Sequence, residues 1–437
     1  MSGVPRPEIR PSPPAATGVG LPWDVAVEDA VAEIARARAE HGDTFTVDSG
    51  RERYLFTFSP VGVESFYALP EEVASKGVAD YLMLRRKLPD EIFASRRTLP
   101  SMLFRRGDVA TYLAHLESAL DETEVELGEA GSVEVFALTR RLGHRMGLAS
   151  WAGPGSDRGT GFERLVRAFD TLDGSDAFVH PDAMAAVAAS GKVAERAALD
   201  EVTLVVGAAL DRLDGGEVEG HELFARIAAA WDDEPDGVRR EGVAHDVALI
   251  HIASMSNLAS ALGWALLDLL ARPDVLDRVL DGDRDLAERA ALETTRLAQR
   301  SIMARSVMSE VRFDTGDAVY TVPPGTTIAT LLPLLNTTAG PGLEAWDPDR
   351  WSRWRLADTS GLASPQLVTA FGHGRHTCPA QPFSLSAMTA AATRLLGRYE
   401  LAPESTTSPG PVPAQIGGVA RAASPCPVGY RRRSAQP

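Results

Sequence analysis

Residues 371–380 read Phe371-Gly372-His373-Gly374-Arg375-His376-Thr377-Cys378-Pro379-Ala380, and the fold turns on how they are read. Two glycines punctuate the stretch and deliver a cysteine. Directly after it, Phe383, Leu385, Met388, Ala391, Ala392, Leu395 and Leu396 recur at helical spacing. The cysteine therefore stands at or beside a helix N-terminus, where free amides and the macrodipole favour a negative sulfur. A thiolate held in this way is a good axial ligand for haem iron. The other reading of Cys378 is a buried free cysteine.

The surrounding chain has 437 residues, enough for one large domain or two ordinary ones. At 44% hydrophobic and 24% charged, it has the composition of a soluble globular protein. A net charge of −16 argues against general affinity for nucleic acid or anionic membranes. Cys378 and Cys426 are the two cysteines. They are too few for a disulfide framework, so a reducing, cytoplasmic compartment is expected. The first twenty residues are rich in proline and lack the apolar core of a signal peptide. No uninterrupted apolar run approaches the ~20 residues of a membrane span, so no membrane anchor is expected.

Residues 1–22 hold Pro5, Pro7, Pro11, Pro13 and Pro14 and read as an extended, weakly ordered tail, with 23–437 as one domain. Helical periodicity covers 23–41, 108–127, 133–148, 193–213 and 285–300. Segments 44–47 and 53–58 alternate like a hairpin turning at Asp48-Ser49-Gly50. The longest apolar-periodic segment is 243–271. Its His245, Asp246, His251, Ser254, Ser256 and Asn257 suit a buried central helix better than a membrane span. Residues 305–332 turn β-like around Pro323-Pro324-Gly325. The expectation is a mainly α fold with a minor β region.

Two further motifs precede the cysteine loop. Glu293-Thr294-Thr295-Arg296 places a carboxylate and a guanidinium on one helix face. Taken alone, it is as readily a surface ion pair worth at most ~1 kcal/mol. Trp346-Asp347-Pro348-Asp349-Arg350-Trp351 follows. With Phe371, Gly374 and Cys378 in register, the chain resembles the cytochrome P450 superfamily, soluble bacterial type. That superfamily carries Phe-x-x-Gly-x-x-x-Cys, preceded by Glu-x-x-Arg and by an arginine in a Phe-x-Pro-x-Arg-Phe-like stretch.

The resemblance implies a triangular helical prism with a long central helix over the haem. It implies haem b (iron protoporphyrin IX) ligated by Cys378, with Phe371, Gly374 and Pro379 in the loop that binds it. Glu293, Arg296 and Arg350 would form a buried charged triad, structural rather than catalytic and costly to break. His376, Arg305 and Arg97 are nominated as the cations for the haem propionates. Arg97 ends Phe93-Ala94-Ser95-Arg96-Arg97, and Arg96 can take its place. For each of the three, the other reading is a solvated surface charge. Met255, Ile302 and Met303 fall at distal-pocket positions, which suggests an apolar lining.

The central helix departs from the superfamily pattern. An acid–alcohol pair normally relays protons there. Counting back from Ala261-Leu262-Gly263-Trp264, the candidate catalytic pair is Ser256 and Asn257, neither of which titrates near neutral pH. One branch is locally similar: the cholesterol 7α-hydroxylase and prostacyclin synthase group, with asparagine at this place and, in its sterol hydroxylases, Cys-Pro at the ligand. That group holds both monooxygenases and an isomerase. Pro379 is expected at or near the first helical position. It lacks an N–H, so the sulfur loses one amide and the iron potential falls; alternatively, Pro379 only starts the helix.

The expected function is a monooxygenase of specialised metabolism that hydroxylates or oxidatively couples a small hydrophobic substrate. Electrons would come from a separate ferredoxin or flavodoxin with its reductase, docked on Arg85, Arg86, Lys87, Arg105, Arg106 and Arg375 of a monomer. The alternative is a haem-thiolate isomerase or a peroxide-using enzyme.

Overall fold

A computed structural model describes residues 8–94, 96–98, 100–405 and 407–434. Its centre is the helix Asp236–Leu270, 35 residues or about 52 Å long at ~1.5 Å per residue. It begins two turns earlier than the apolar periodicity marks. That first stretch is polar and held by charge instead: Arg239 pairs with Asp214 at 2.8 Å, and Arg240 bonds Asp211. Beyond it, Val243, Val247, Leu262 and Leu266 are buried. By length and composition this helix is apolar enough to cross a bilayer, yet most of its apolar stretch lies inside the fold.

Two helices flank the centre. Val135–Trp151 packs along it closely because Gly147 has no side chain. A Cβ there would lie 2.7 Å from the Met255 side chain. Val193–Asp214 packs on the other side, with Gly159–Leu172 against it. The helix Arg284–Leu297 carries the Glu-x-x-Arg motif, and Gln381–Arg398 follows the cysteine loop. Both pack on the central helix and on each other.

The β region is mainly a five-stranded sheet in the order Thr44–Ser49, Glu52–Thr57, Thr326–Leu331, Ile302–Val307, Ala74–Ser75. The expected hairpin is there, but its turn sits one residue later. Ser49 still pairs with Glu52, and Gly50 takes φ +58° at the tip. The 23–41 helix starts late, at Ala30, where Asp29 caps it by accepting from the amides of Val31 and Ala32. Trp23 is instead buried in the sheet-side core with Phe45, Phe56 and Phe66.

The amino-terminal tail is more ordered than its composition suggests. Glu8–Arg10 adds as a parallel strand to Ala318–Val322, and Ala16, Val19 and Leu21 are buried. The prolines favour an extended chain, and the apolar residues that follow them, Ala16, Val19 and Leu21, reach the core. Residues 1–7 lie outside the described residues.

Candidate active site

The cysteine loop is held at both ends. Asn336 clamps its start: the side-chain amide donates to the carbonyls of Thr369 and Arg296, and its oxygen accepts from the Thr369 amide, all at 2.8–2.9 Å. Gln299 donates to the Ala370 carbonyl at 2.8 Å. The loop then folds back, with the Cys378 amide donating to the Phe371 carbonyl at 2.7 Å. Gly372 permits this reversal. It takes φ +81°, and a Cβ would sit 2.5 Å from the His376 carbonyl oxygen. Gly374, the glycine singled out by the motif, takes φ +57° with open space around its Cα.

Pro379 does not occupy the first helical position. The helix starts at Gln381 after Ala380 at the cap, and Pro382 sits in its first turn, so Pro379 belongs to the preceding turn. Burial raises the Cys378 thiol pKa. The amides of Ala380 and Gln381 and the charge of Lys76 pull against that rise. Two of the amides that follow the cysteine thus favour the thiolate, and Pro379 has none to give.

Beneath the loop, Glu293 and Arg296 are fully buried and joined by two bonds, at 2.6 and 2.8 Å. Arg350 adds a third charge, with its Nε 3.3 Å from Glu293. Trp351 Nε1 and the Asp347 amide also donate to the same carboxylate, at 2.9 and 3.0 Å. The surface-pair reading of this motif is therefore excluded by geometry.

Cys378 and Phe371 of the loop line one cavity of about 470 Å³ together with Ala253, Met255, Asn257 and Ala261 of the central helix. Lys76, Arg96, Arg375 and His376 also reach it. A thiol facing an apolar wall, with basic side chains around the cavity, fits a flat hydrophobic macrocycle bearing two carboxylates.

Several nominated residues lie elsewhere. Arg97 turns away: it donates to the Ala230 carbonyl at 3.2 Å, pairs with Glu234 and lies 4.7 Å over the Trp231 ring. Arg96 is the one that lines the cavity. Arg305 is fully buried behind the wall, donating to the carbonyls of Leu69 and Ala74 and contacting His376. Burial, and then the charge of Arg305, hold the His376 pKa below its usual value. Beside and within the strand Ile302–Val307, Ser301 and Met303 line the cavity and Ile302 does not, while Ile302 and Met303 both pack against the sheet-side core.

On the central helix, Ser256 is absent from the cavity wall, which is lined by Ser254 and Asn257. Asn257 is not free either. Its oxygen accepts from the Val419 amide at 2.8 Å, and Gly418 must be glycine-sized because a Cβ would lie 2.5 Å from that oxygen. The basic cluster at 85–87 is likewise consumed. Arg85 pairs with Asp90, Arg86 with Asp24 and Glu52, and Lys87 is buried against Glu195. Arg105, Arg106 and Arg375 are exposed.

Residues 221–427 match the family model of cytochrome P450. Over that span the chain belongs to the cytochrome P450 superfamily. Its cofactor is therefore haem, and the P450 chain presents Cys378 and the cavity opposite it as the fitting site. Two curated relatives are similar. One is the cytochrome P450 monooxygenase sphH of Aspergillus fumigatus, 26% identical over 36% of this chain and 33% of the relative. The other is the human 24-hydroxycholesterol 7-alpha-hydroxylase, 25% identical over 41% of this chain and 42% of the relative. The matches thus span about a third to two-fifths of these relatives' lengths. Asn336, Thr369, Gln299 and Arg96 complete the site, and no contiguous motif points to the first three.

Proposed function

We propose that this P450 is a haem-thiolate monooxygenase that hydroxylates or oxidatively couples an apolar small molecule. The carrying observation is that Cys378 and the central helix line the same cavity. Haem, when bound, supplies the reductive activation of dioxygen. The chain's own residues do the rest. The Ala380 and Gln381 amides favour the anionic sulfur. Met255, Met303 and Ala261 present an apolar surface to the substrate, and Ser254 and Asn257 add polar groups close by. Arg96, Lys76 and Arg375 balance the charge of carboxylates bound between the walls.

Electrons come from a separate ferredoxin- or flavodoxin-type protein, and of the basic residues nominated for docking, exposed Arg105 and Arg106 are left to meet an acidic partner. Cys378 and Cys426 are both free, which suits a reducing compartment.

The test begins with the reduced, carbon-monoxide-bound spectrum, where a thiolate-type Soret band is expected and its absence ends the proposal. Turnover is then compared under two supplies: NAD(P)H with surrogate redox proteins, and peroxide alone. Product only with the redox proteins supports the monooxygenase. Product with peroxide alone, or rearrangement with neither, favours the isomerase or peroxide-using alternative. That alternative draws on two observations: Ser256 does not line the cavity, and Asn257 is engaged by Val419.

A further inference from the structure

Two histidines, His144 and His251, are buried outside the site already described, and their hydrogen bonds run in one direction. Trp151, fully buried at the end of Val135–Trp151, donates its indole N–H to Nδ1 of His251 at 3.2 Å. An indole nitrogen can only donate, so His251 accepts at Nδ1 and holds its own proton on Nε2. That nitrogen lies 2.8 Å from Nδ1 of His144, which accepts in turn and holds its proton on Nε2. His144 Nε2 stands 3.4 Å from Asp170 Oδ1. Asp170 is about half exposed and also bonds Arg140 at 2.7 Å. Trp151, His251, His144 and Asp170 thus form a row that points its hydrogens from the core to solvent.

The inner end of the row touches residues of the haem cavity. Phe104, which lines that cavity, has its ring centroid 6.3 Å from that of Trp151. Met255, a second lining residue, is a neighbour too: a Cβ at Gly147 would lie 2.9 Å from both the Met255 sulfur and the Trp151 ring. Tyr112 also packs on Trp151, at 6.1 Å. Its O–H, however, donates to the Leu103 carbonyl at 3.1 Å, and a carbonyl cannot carry the proton away. Of these rings only Trp151 has a base on its acidic hydrogen. Phe169 covers that base, with its centroid 4.1 Å from that of His251. Burial above all holds the His251 pKa well below its usual value, so the ring stays neutral and its Nδ1 stays open to accept.

We propose that Trp151 is a one-electron outlet for oxidising equivalents stranded in the haem cavity, and that His251, His144 and Asp170 carry its proton to solvent. The inference rests on haem in the Cys378 cavity and goes beyond the monooxygenase reading, since hydrogen peroxide supplies the oxidant and no substrate takes part. The balance is H2O2 + 2 Trp–H → 2 H2O + 2 Trp•, with the same residue used twice in succession. In each step Trp151 loses an electron toward the cavity, its N–H bond breaks, and the proton goes to His251 Nδ1. His251 gives its Nε2 proton to His144, and His144 gives its own to Asp170 and bulk water. Each imidazole gains one proton as it loses another, so no uncompensated cation is left in the core. A one-electron reductant at the surface, such as ascorbate, then restores Trp151, and the protons retrace the row. The sum is H2O2 + 2 AscH− → 2 H2O + 2 Asc•−, where AscH− is ascorbate. His251, His144 and Asp170 act through Trp151 and are positioning residues in this scheme.

The test needs no known substrate. Haem-loaded protein, its loading read from the carbon-monoxide spectrum, is mixed with hydrogen peroxide and rapidly frozen for electron paramagnetic resonance. A tryptophan radical is expected in the wild type, recognised by its changed hyperfine pattern when the protein carries ring-deuterated tryptophan, and lost in W151F. Ascorbate should slow peroxide bleaching of the Soret band in the wild type. W151F, H251N and D170N should each bleach several-fold faster, with the protection by ascorbate reduced. A separate readout needs no peroxide: 15N-labelled histidine in the ferrous carbon-monoxide form should show His144 and His251 both protonated on Nε2, assigned from the signals lost in H144N and H251N. Where W151F does not load haem, D170N, changed at a half-exposed carboxylate, carries the comparison. A radical that persists in W151F, a tyrosine radical lost in Y112F, wild-type bleaching in D170N, or a proton on Nδ1 of either ring overturns the outlet alone. A missing thiolate-type band in the carbon-monoxide spectrum overturns the haem-site reading and the outlet with it.

Discussion

Replacing Glu293 with glutamine tests the central charge cluster with the least change of shape. The carboxylate accepts from Arg296 twice, from Trp351, from the Asp347 amide and from Arg350. Glutamine keeps the volume, so no cavity contributes. It removes the charge and turns an acceptor into an NH2 aimed at donors. Arg296, with no solvent exposure, is left as an uncompensated buried cation. Breaking such a pair from one side costs about 3–5 kcal/mol, whereas a surface pair is worth about 0–1 kcal/mol. With an unfolding entropy near ~0.9 kcal/mol/K for this length, the loss is a fall of roughly 3–5 °C in Tm. Thermal and urea unfolding of E293Q beside wild type, with haem retained in both, measures it. A shift within about 1 °C would refute the reasoning, because the cluster would then be behaving as if solvated.

Gly372→Ala should abolish haem retention, since a Cβ collides with the His376 carbonyl, while Gly374→Ala should cost only the ~1–2 kcal/mol of its positive φ; absorbance at the Soret band after purification separates them. Arg96→Ala should speed haem loss to apomyoglobin several-fold, and Arg97→Ala should leave that rate unchanged while lowering thermal stability through Glu234 and Trp231; equal rates would show that neither side chain holds the cofactor. Glu126 is held at about 2, first by Arg141 and also by Arg145. Its folded pKa is depressed, so its stabilisation is present above the unfolded value near ~4.5 and lost as pH falls toward 2. The gap in urea midpoint between wild type and Glu126→Gln should accordingly be full at pH 7 and shrink below pH 4. Pro379→Leu restores an amide beside the sulfur and should raise the haem reduction potential; an unchanged potential removes the proline from any account of tuning.

Contiguous signals were legible. The cysteine loop, Glu293 with Arg296, and the glycine-bounded helices are written within a few residues of one another, because a helix face or a tight loop is a local geometry. Arg350 was reachable for a related reason: its own short motif marks it, although its partner is 57 positions away. Asn336 was not. It makes three bonds to backbone groups, and backbone groups leave no trace in residue identity. The tail misled for the opposite reason. Its prolines signal extension but not what the extended chain packs against, and here that is Ala318–Val322 and the sheet-side core.

By itself, then, the sequence pointed to the family, to Cys378 as the candidate iron ligand, to the mainly helical architecture and to the paired charges of Glu293 and Arg296. Only the tertiary structure decided between neighbours: Arg96 over Arg97, Met303 over Ile302, and Ser254 over Ser256 at the cavity wall. Adjacent residues on a helix point about 100° apart, and on a strand they point to opposite faces. Which one reaches the cavity depends on how the element is rotated. For Ile302–Val307 that rotation is set by pairing with Thr326–Leu331. For the central helix it is set by the close seat of Met255 on Gly147. Those contacts join positions far apart in the chain, and they leave Ser256 off the cavity wall.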